Sequence, residues 1–217
     1  MSTSGFFIQK TFELAYVQGQ RNFQRTHCIN IDFRHCNLEG FNFQGASFDH
    51  CLFPHNLPKI NFTQAKLQAH SFSETNLENA ILIKANLQGS NFQGANLKKA
   101  QLVQADLRGT NFNNAILTDV NFNKANLQGA NLGEANLENV NLSAANLTQC
   151  NLAWANLINA NVSQASFINA NLTGADLYST NLKEAFVGKA QLSLARMPLE
   201  SSINFQGSWK RFLPFFK

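Results

Sequence analysis

The chain has 217 residues, with 17 Lys plus Arg against 13 Asp plus Glu and a net charge of +4. Only 14% of the residues are charged, where a soluble domain usually has about 25%; Asn and Gln supply the missing polarity. A hydrophobic share of 44% argues against disorder, and no run of 18 apolar residues is present to span a membrane. Residues 193–217 hold four basic residues and one acidic, while 59–192 hold nine and eight. The body thus lacks the basic stripe that direct nucleic-acid binding requires. Met1 to Lys10 lacks a basic n-region followed by an apolar core, so the expected compartment is the cytoplasm.

In chain order, residues 1–20 show no period but hold Phe6, Phe7, Ile8, Phe12, Leu14, Tyr16 and Val17. They are predicted to be an N-terminal cap. From residue 21 an apolar or thiol side chain recurs every fifth position: Phe23, Cys28, Phe33, Leu38, Phe43, Phe48 and Phe53. The next spacing, Phe53 to Phe62, is nine. Pro54, His55, Asn56, Leu57, Pro58 and Lys59 fill it, and neither proline can donate to a sheet ladder. This segment is predicted to bulge outward as a loop, which makes it a candidate interaction loop. Phe48, Phe72, Phe92 and Phe112 would then stack as an aromatic ladder.

From Phe62 to Leu192 the period is unbroken over 27 positions: 19 Leu, 6 Phe and 2 Val. With this position termed i, 18 residues at i−2 are Ala and 17 at i−1 are Asn. A period of five fits neither a helix nor a simple strand. It fits a short extended segment, with i−2 and i inward and i−1 outward, followed by a turn at i+1 and i+2. Turning repeatedly in one sense builds a solenoid. Small residues belong at i−2 because a narrow tube cannot hold two large side chains per segment.

Runs such as Ala95-Asn-Leu-Lys-Lys, Ala125-Asn-Leu-Gln-Gly, Ala135-Asn-Leu-Glu-Asn and Ala175-Asp-Leu-Tyr-Ser resemble the Ala-Asp/Asn-Leu-x-x signature of the pentapeptide-repeat family. The resemblance covers roughly residues 21–197. It implies an all-β fold, a right-handed quadrilateral β-helix with four pentapeptides per coil and about eight to nine coils. Residues 198–217 then form a C-terminal cap, a dimerisation segment or a membrane-surface tail. Trp209, Phe212, Leu213, Phe215 and Phe216 are its candidate contacts, and Trp209 to Lys217 mixes aromatic and basic groups as interfacial segments do.

Chemistry is sparse. His27-Cys28, His35-Cys36 and His50-Cys51 are sequence neighbours, and neighbours on an extended segment point to opposite faces. No metal site is expected, and Cys28, Cys36, Cys51 and Cys150 all fall on inward positions. His70 takes an i−2 place and is expected as a satisfied core histidine. No Gly-rich phosphate loop or nucleophile–base pattern occurs, so neither a catalytic residue nor a cofactor is expected. The expected function is a non-enzymatic scaffold whose flat faces bind an unknown protein partner, with a homodimer through the C-terminal end as one arrangement. The resemblance also implies an alternative: mimicry of duplex DNA toward DNA gyrase or topoisomerase IV, giving quinolone or toxin protection. That role needs a strongly negative surface, and Asn replaces Asp at most i−1 positions here.

Overall fold

The computed structural model describes residues 5–198. The candidate tail contacts Trp209, Phe212, Leu213, Phe215 and Phe216 lie outside the described residues. Strand β1 (Phe6–Phe7) leads into helix α1 (Gln9–Val17), followed by β2 (His27–Ile29) and β3 (Ser47–Asp49). The three strands form a parallel sheet in the order β1-β2-β3, with Phe7 opposite Cys28 and Cys28 opposite Phe48.

Helix α1 starts where Thr11 Oγ1 accepts the Ile8 N–H at 3.0 Å and donates to the Ile8 carbonyl at 2.9 Å. It stops at Gly19, whose φ of +83° suits a residue without Cβ. There the N–H groups of Gly19 and Gln20 return to the carbonyls of Tyr16 and Ala15, the double closure of a Schellman end. The buried face is short: Phe12 packs on Phe23 and, edge to face at 4.7 Å, on Phe33. The helix thereby covers the aromatic end of the solenoid.

Beyond it, parallel bridges join residues 20 apart, from Asn56↔Asn76 to Asp176↔Arg196. Four pentapeptides therefore make one coil, and neighbouring coils lie about 4.8 Å apart. The pentapeptide Ala125–Gly129 shows why the pattern is stable. Each of its five backbone N–H groups has an acceptor: Ala125 on Phe122 O, Asn126 on Ala105 O, Leu127 on Asn146 O and Gly129 on Thr148 O. The fifth, Gln128 N–H, donates to Asn126 Oδ1 at 3.2 Å. A side-chain acceptor at i−1 thus completes the backbone, because an orphaned donor would cost about a hydrogen bond.

The turns have a common form. The i+3 N–H returns to the carbonyl of i, as from Ala130 to Leu127, and residue i+2 has φ near +60°. This is a type II turn, which favours Gly at i+2. Gly89, Gly94, Gly109 and Gly129 comply, whereas Lys99, Glu134 and Trp154 adopt the same left-handed conformation with a Cβ.

The inward residues form four columns. The Phe23 column continues through Phe43 and Phe62 to Leu82, and the Cys28 column through Phe48 to Leu67. The Phe33 column runs through Phe53, Phe72, Phe92 and Phe112 to Leu132, and the Leu38 column through Leu57 to Leu77. Leu97, Leu127 and Leu157 are fully buried. The sequence expectation for residues 54–59 needs correction: the segment does not bulge. Leu57 is fully buried, its N–H bonds the Asn76 carbonyl at 2.8 Å, and Asn56 bridges Asn76. The nine-residue spacing is therefore a four-residue step followed by a normal one, a deletion rather than an insertion. Asn42 accordingly bridges Asn61 and Ser47 bridges Lys66, 19 residues on. Pro54 and Pro58 both sit at i+1. Pro58 enters a turn whose i+2 residue, Lys59, has φ +58°, and such a turn welcomes the fixed φ of proline. The shortened step after Pro54 has no left-handed residue at His55. The deletion also moves the aromatic ladder. Phe53, not Phe48, stacks in line with Phe72, Phe92 and Phe112, at centroid distances of 5.3, 5.1 and 4.9 Å.

Candidate interaction surface

Each outer face carries an i−1 residue at its centre, flanked by i+2 of the preceding turn and i+1 of the following one. On the Phe33 face, Asn91, Asn111, Asn131, Asn151 and Asn171 form an uninterrupted ladder. From Asn111 onward each Nδ2 donates to the Oδ1 one coil back, at 2.9–3.2 Å. The same Oδ1 atoms accept the i+1 backbone N–H, as Asn131 does from Gly133. Asparagine can accept and donate together; aspartate cannot donate, and stacked carboxylates would repel. This explains the preference for Asn.

The exceptions are informative. Each described aspartate at i−1 has an arginine. Arg34 Nε and Nη2 donate to Asp32 at 2.9 and 2.7 Å, and Arg108 does the same for Asp106 at 2.8 and 2.6 Å. Asp176 receives Arg196 Nη1 from the next coil at 3.1 Å. The Arg34 hydrogen bond holds the Asp32 carboxyl down at about 2, and Arg108 likewise lowers that of Asp106. On the Leu38 face Glu39, Glu74, Glu78, Glu134 and Glu138 stand with Lys98, the uncharged rows at Ile116 and Asn156 interrupt them, and Lys59 at the border pairs with Glu39 at 2.8 Å. Among the described residues no face presents the continuous negative field of a duplex.

Side chains singled out in the sequence do not converge on one site. Cys28, Cys51 and Cys150 are buried and Cys36 is half-buried; burial pushes the Cys28 and Cys150 thiols up to about 12, so they are poor nucleophiles. Among the described residues no group of three His, Cys, Asp or Glu is placed to hold a metal ion. His70 is half-buried rather than enclosed, its Nδ1 3.0 Å from the Gln68 carbonyl. It borders a cleft of about 540 Å³ between Phe48–Leu52 and Gln68–Ser71. The cleft opens where the shortened coil interrupts the bridge ladder, which joins Asp32 to Leu52 and Ser71 to Asn91. Asp49 on its wall is engaged by His27 at 2.6 Å. Of the candidate loop, Leu57 is internal while His55, Asn56 and Lys59 are exposed.

Exposed apolar side chains fall mainly in two groups: Phe6, Ile8, Leu14 and Val17 near the start, and a second set beyond residue 115 that includes Trp154, Leu194, Ile116 and Tyr178. Trp154 is 60% exposed, Leu194 77%, Ile116 44% and Tyr178 41%. All four border the Leu38 face, and no sequence signal singled them out because they occupy the variable i−1, i+1 and i+2 positions.

Family models described as "Pentapeptide repeat region" and "Pentapeptide repeats (8 copies)" match residues 55–132 and, in the second case, 22–53 and segments between 135 and 197. No match is found among curated proteins. Among solved structures, the chain is similar to HetL, a pentapeptide repeat protein involved in heterocyst differentiation regulation in the cyanobacterium Nostoc sp. strain PCC 7120. The identity is 26% over 91% of this chain and 100% of that one, with a TM-score of 0.42. A pentapeptide repeat protein from the Arabidopsis thaliana thylakoid lumen is 33% identical over 52% of this chain and 65% of its own, TM-score 0.30. QnrB1, a plasmid-mediated fluoroquinolone resistance protein, is 17% identical over 89% and 88%, TM-score 0.34.

Proposed function

Because the chain belongs to the pentapeptide-repeat family, we propose that it is a non-enzymatic scaffold that binds a protein partner along its outer faces. In this reading the solenoid is right-handed and four-sided, with eight to nine coils, and works in the cytoplasm. The observation that carries the reading is the closure of the interior. Leu and Phe fill the columns, and the coil-to-coil ladder with the Asn side chains satisfies the backbone. Catalysis needs a nucleophile, a base and an orienting group converging in a concave site; a filled rod offers flat, rigid faces instead. Rigidity favours binding because little conformational entropy is lost on association.

The test is affinity capture from native extract with the immobilised full chain at low and physiological salt. A discrete partner, protected from cross-linking by excess free chain, is the expected result. Recovery of no specific partner under either condition would overturn the reading.

A further inference from the structure

The shortened coil leaves a breach in the Phe33 face. In the regular coils three backbone bonds join a face to the next coil, as from Asn126, Leu127 and Gly129. Between Leu52 and Ser71 their counterparts are missing. Among the described residues no acceptor meets the N–H of Phe53, His55 or Ser71, and no donor meets the carbonyl of Cys51 or Ser71. Leu52 and Ser71 also take the i−1 places where asparagine would continue the amide ladder, and both are exposed. Two clefts follow the gap. The one of about 540 Å³ beside His70 shares Cys51, Leu52 and Ser71 with a second of about 280 Å³ toward Ser73 and Thr75, so together they make one groove across the face.

The floor of this groove is the core itself. Of the described i residues from Phe23 to Leu192, Phe53 alone is half-buried rather than buried. Its ring is backed by those of Phe48 and Phe72, at centroid distances of 5.1 and 5.3 Å. His70, at 5.8 Å from that ring, and Leu52, 49% exposed, flank it. On the rim Asp49 is paired with His27 and Arg34 with Asp32. Among the described residues no cation pairs with Glu74, at the His55 end of the groove.

An aromatic floor between unpaired backbone edges matches an extended polypeptide, which alternates side chains with backbone donors and acceptors. Each unpaired backbone group is worth about a hydrogen bond to whatever completes it. We propose that the groove binds a short extended segment of a partner protein that carries one apolar side chain and a lysine or arginine. Its carbonyls accept the Phe53, His55 and Ser71 N–H groups, its own N–H groups meet the Cys51 and Ser71 carbonyls, the apolar side chain covers the Phe53 ring, and the cation meets Glu74. This site rests on the partner-binding reading and gives that reading a location.

The probe is a pool of acetylated tetrapeptide amides, with Phe, Tyr or Leu second and Lys last, added at about 1 mM to the isotope-labelled full chain. Saturable NMR shifts of the Phe53, His55 and Ser71 amides are expected, with their hydrogen exchange slowed about tenfold. The same pool methylated on its backbone nitrogens should leave them in place. A glycine inserted between Pro54 and His55 restores the 20-residue step and should abolish the shifts. Unmoved groove amides, or equal shifts with the methylated pool, would overturn the proposal. So would slow exchange at these amides before peptide is added, which makes the chain's own segment the occupant. Partner capture that survives the glycine insertion would overturn this site and leave the scaffold reading standing. Failure of capture alone touches only the scaffold reading, because the peptide titration needs no partner.

Discussion

The coils up to Phe72 and those after Leu82 solve the same packing problem differently. In the early coils the interior is aromatic, and Ile31 and Phe41 occupy i−2 positions that Ala fills later. Rings meet across columns, as Phe43 with Phe48 at 5.4 Å and Phe48 with Phe62 at 5.7 Å, in edge contacts. This region also carries the 19-residue coil, the cleft and the ordered strands β2 and β3. The later coils use Leu beside Ala, keep a strict 20-residue step and align the outer amides into ladders. Constancy of backbone spacing, rather than constancy of core composition, defines the solenoid: each coil templates the next through hydrogen bonds at fixed pitch, and the columns adapt.

Truncating the two kinds of core should give the largest effects. Phe92 lies between Phe72 and Phe112 at 5.1 and 4.9 Å, so Phe92→Ala is expected to cost about 4 kcal/mol in urea unfolding. Leu132→Ala, where the same column turns aliphatic, should cost about 3 kcal/mol. Equal losses would show that ring stacking adds nothing beyond the buried area.

The outer ladders separate the regions next. Asn131→Asp removes the donor to Asn111 Oδ1 and sets two acceptors against each other. A loss of about 1–2 kcal/mol at pH 7 is expected. The repelled carboxylate is disfavoured in the folded state, so its pKa rises there; protonation restores a donor. The deficit should therefore shrink as pH falls through that raised value, and persist at neutral pH. A pH-independent deficit would mean that the ladder contributes by shape alone.

Most of this architecture was legible because the inward period of five is read directly from Leu, Phe and Ala. The misplaced segment failed for a specific reason. Two prolines in Pro54–Lys59 suggested a break, yet both fall on i+1, the position whose N–H makes no coil-to-coil backbone bond, and Leu57 was available as the inward residue all along. A spacing of nine divides into four and five as readily as into five and four; only the Asn56↔Asn76 bridge decides where the shortening lies. The exposed Trp154 and Tyr178 were not legible, since the i+2 and i+1 positions they occupy vary freely in side chain and their proximity follows from the 20-residue coil.

The turns give smaller effects in opposite directions. Gly109 has φ +64° and open space around its Cβ position, so Gly109→Ala adds backbone strain alone, about 1 kcal/mol. Ala69, at φ +55°, already bears that strain beside the irregular cleft. Ala69→Gly relieves it but adds unfolded-state entropy, for a net gain of about 0.5 kcal/mol. Paired melting curves of the two variants should move apart; movement in the same direction would show that the early turns are held by packing rather than by dihedral preference.

The smallest effect compares one device in both regions. Asp32 and Asp106 each sit at i−1 with an arginine at i+1, and hydrogen bonds from that arginine lower both carboxyls, Asp32 to about 2. A carboxyl whose folded pKa lies below its unfolded value stabilises the fold above the unfolded pKa, and that contribution disappears as pH falls through the folded one. The relevant window for Asp32 is therefore from about pH 4 down to about 2. Replacing Arg34 by Gln should return the Asp32 carboxyl carbon, followed by NMR titration, toward the ordinary aspartate range, and Arg108→Gln should do so for Asp106. Both pairs are solvent-facing, so screening by salt should diminish the shifts in parallel. If Asp106 alone resisted salt, the neighbouring amides of the regular coils, rather than the arginine, would be holding its charge.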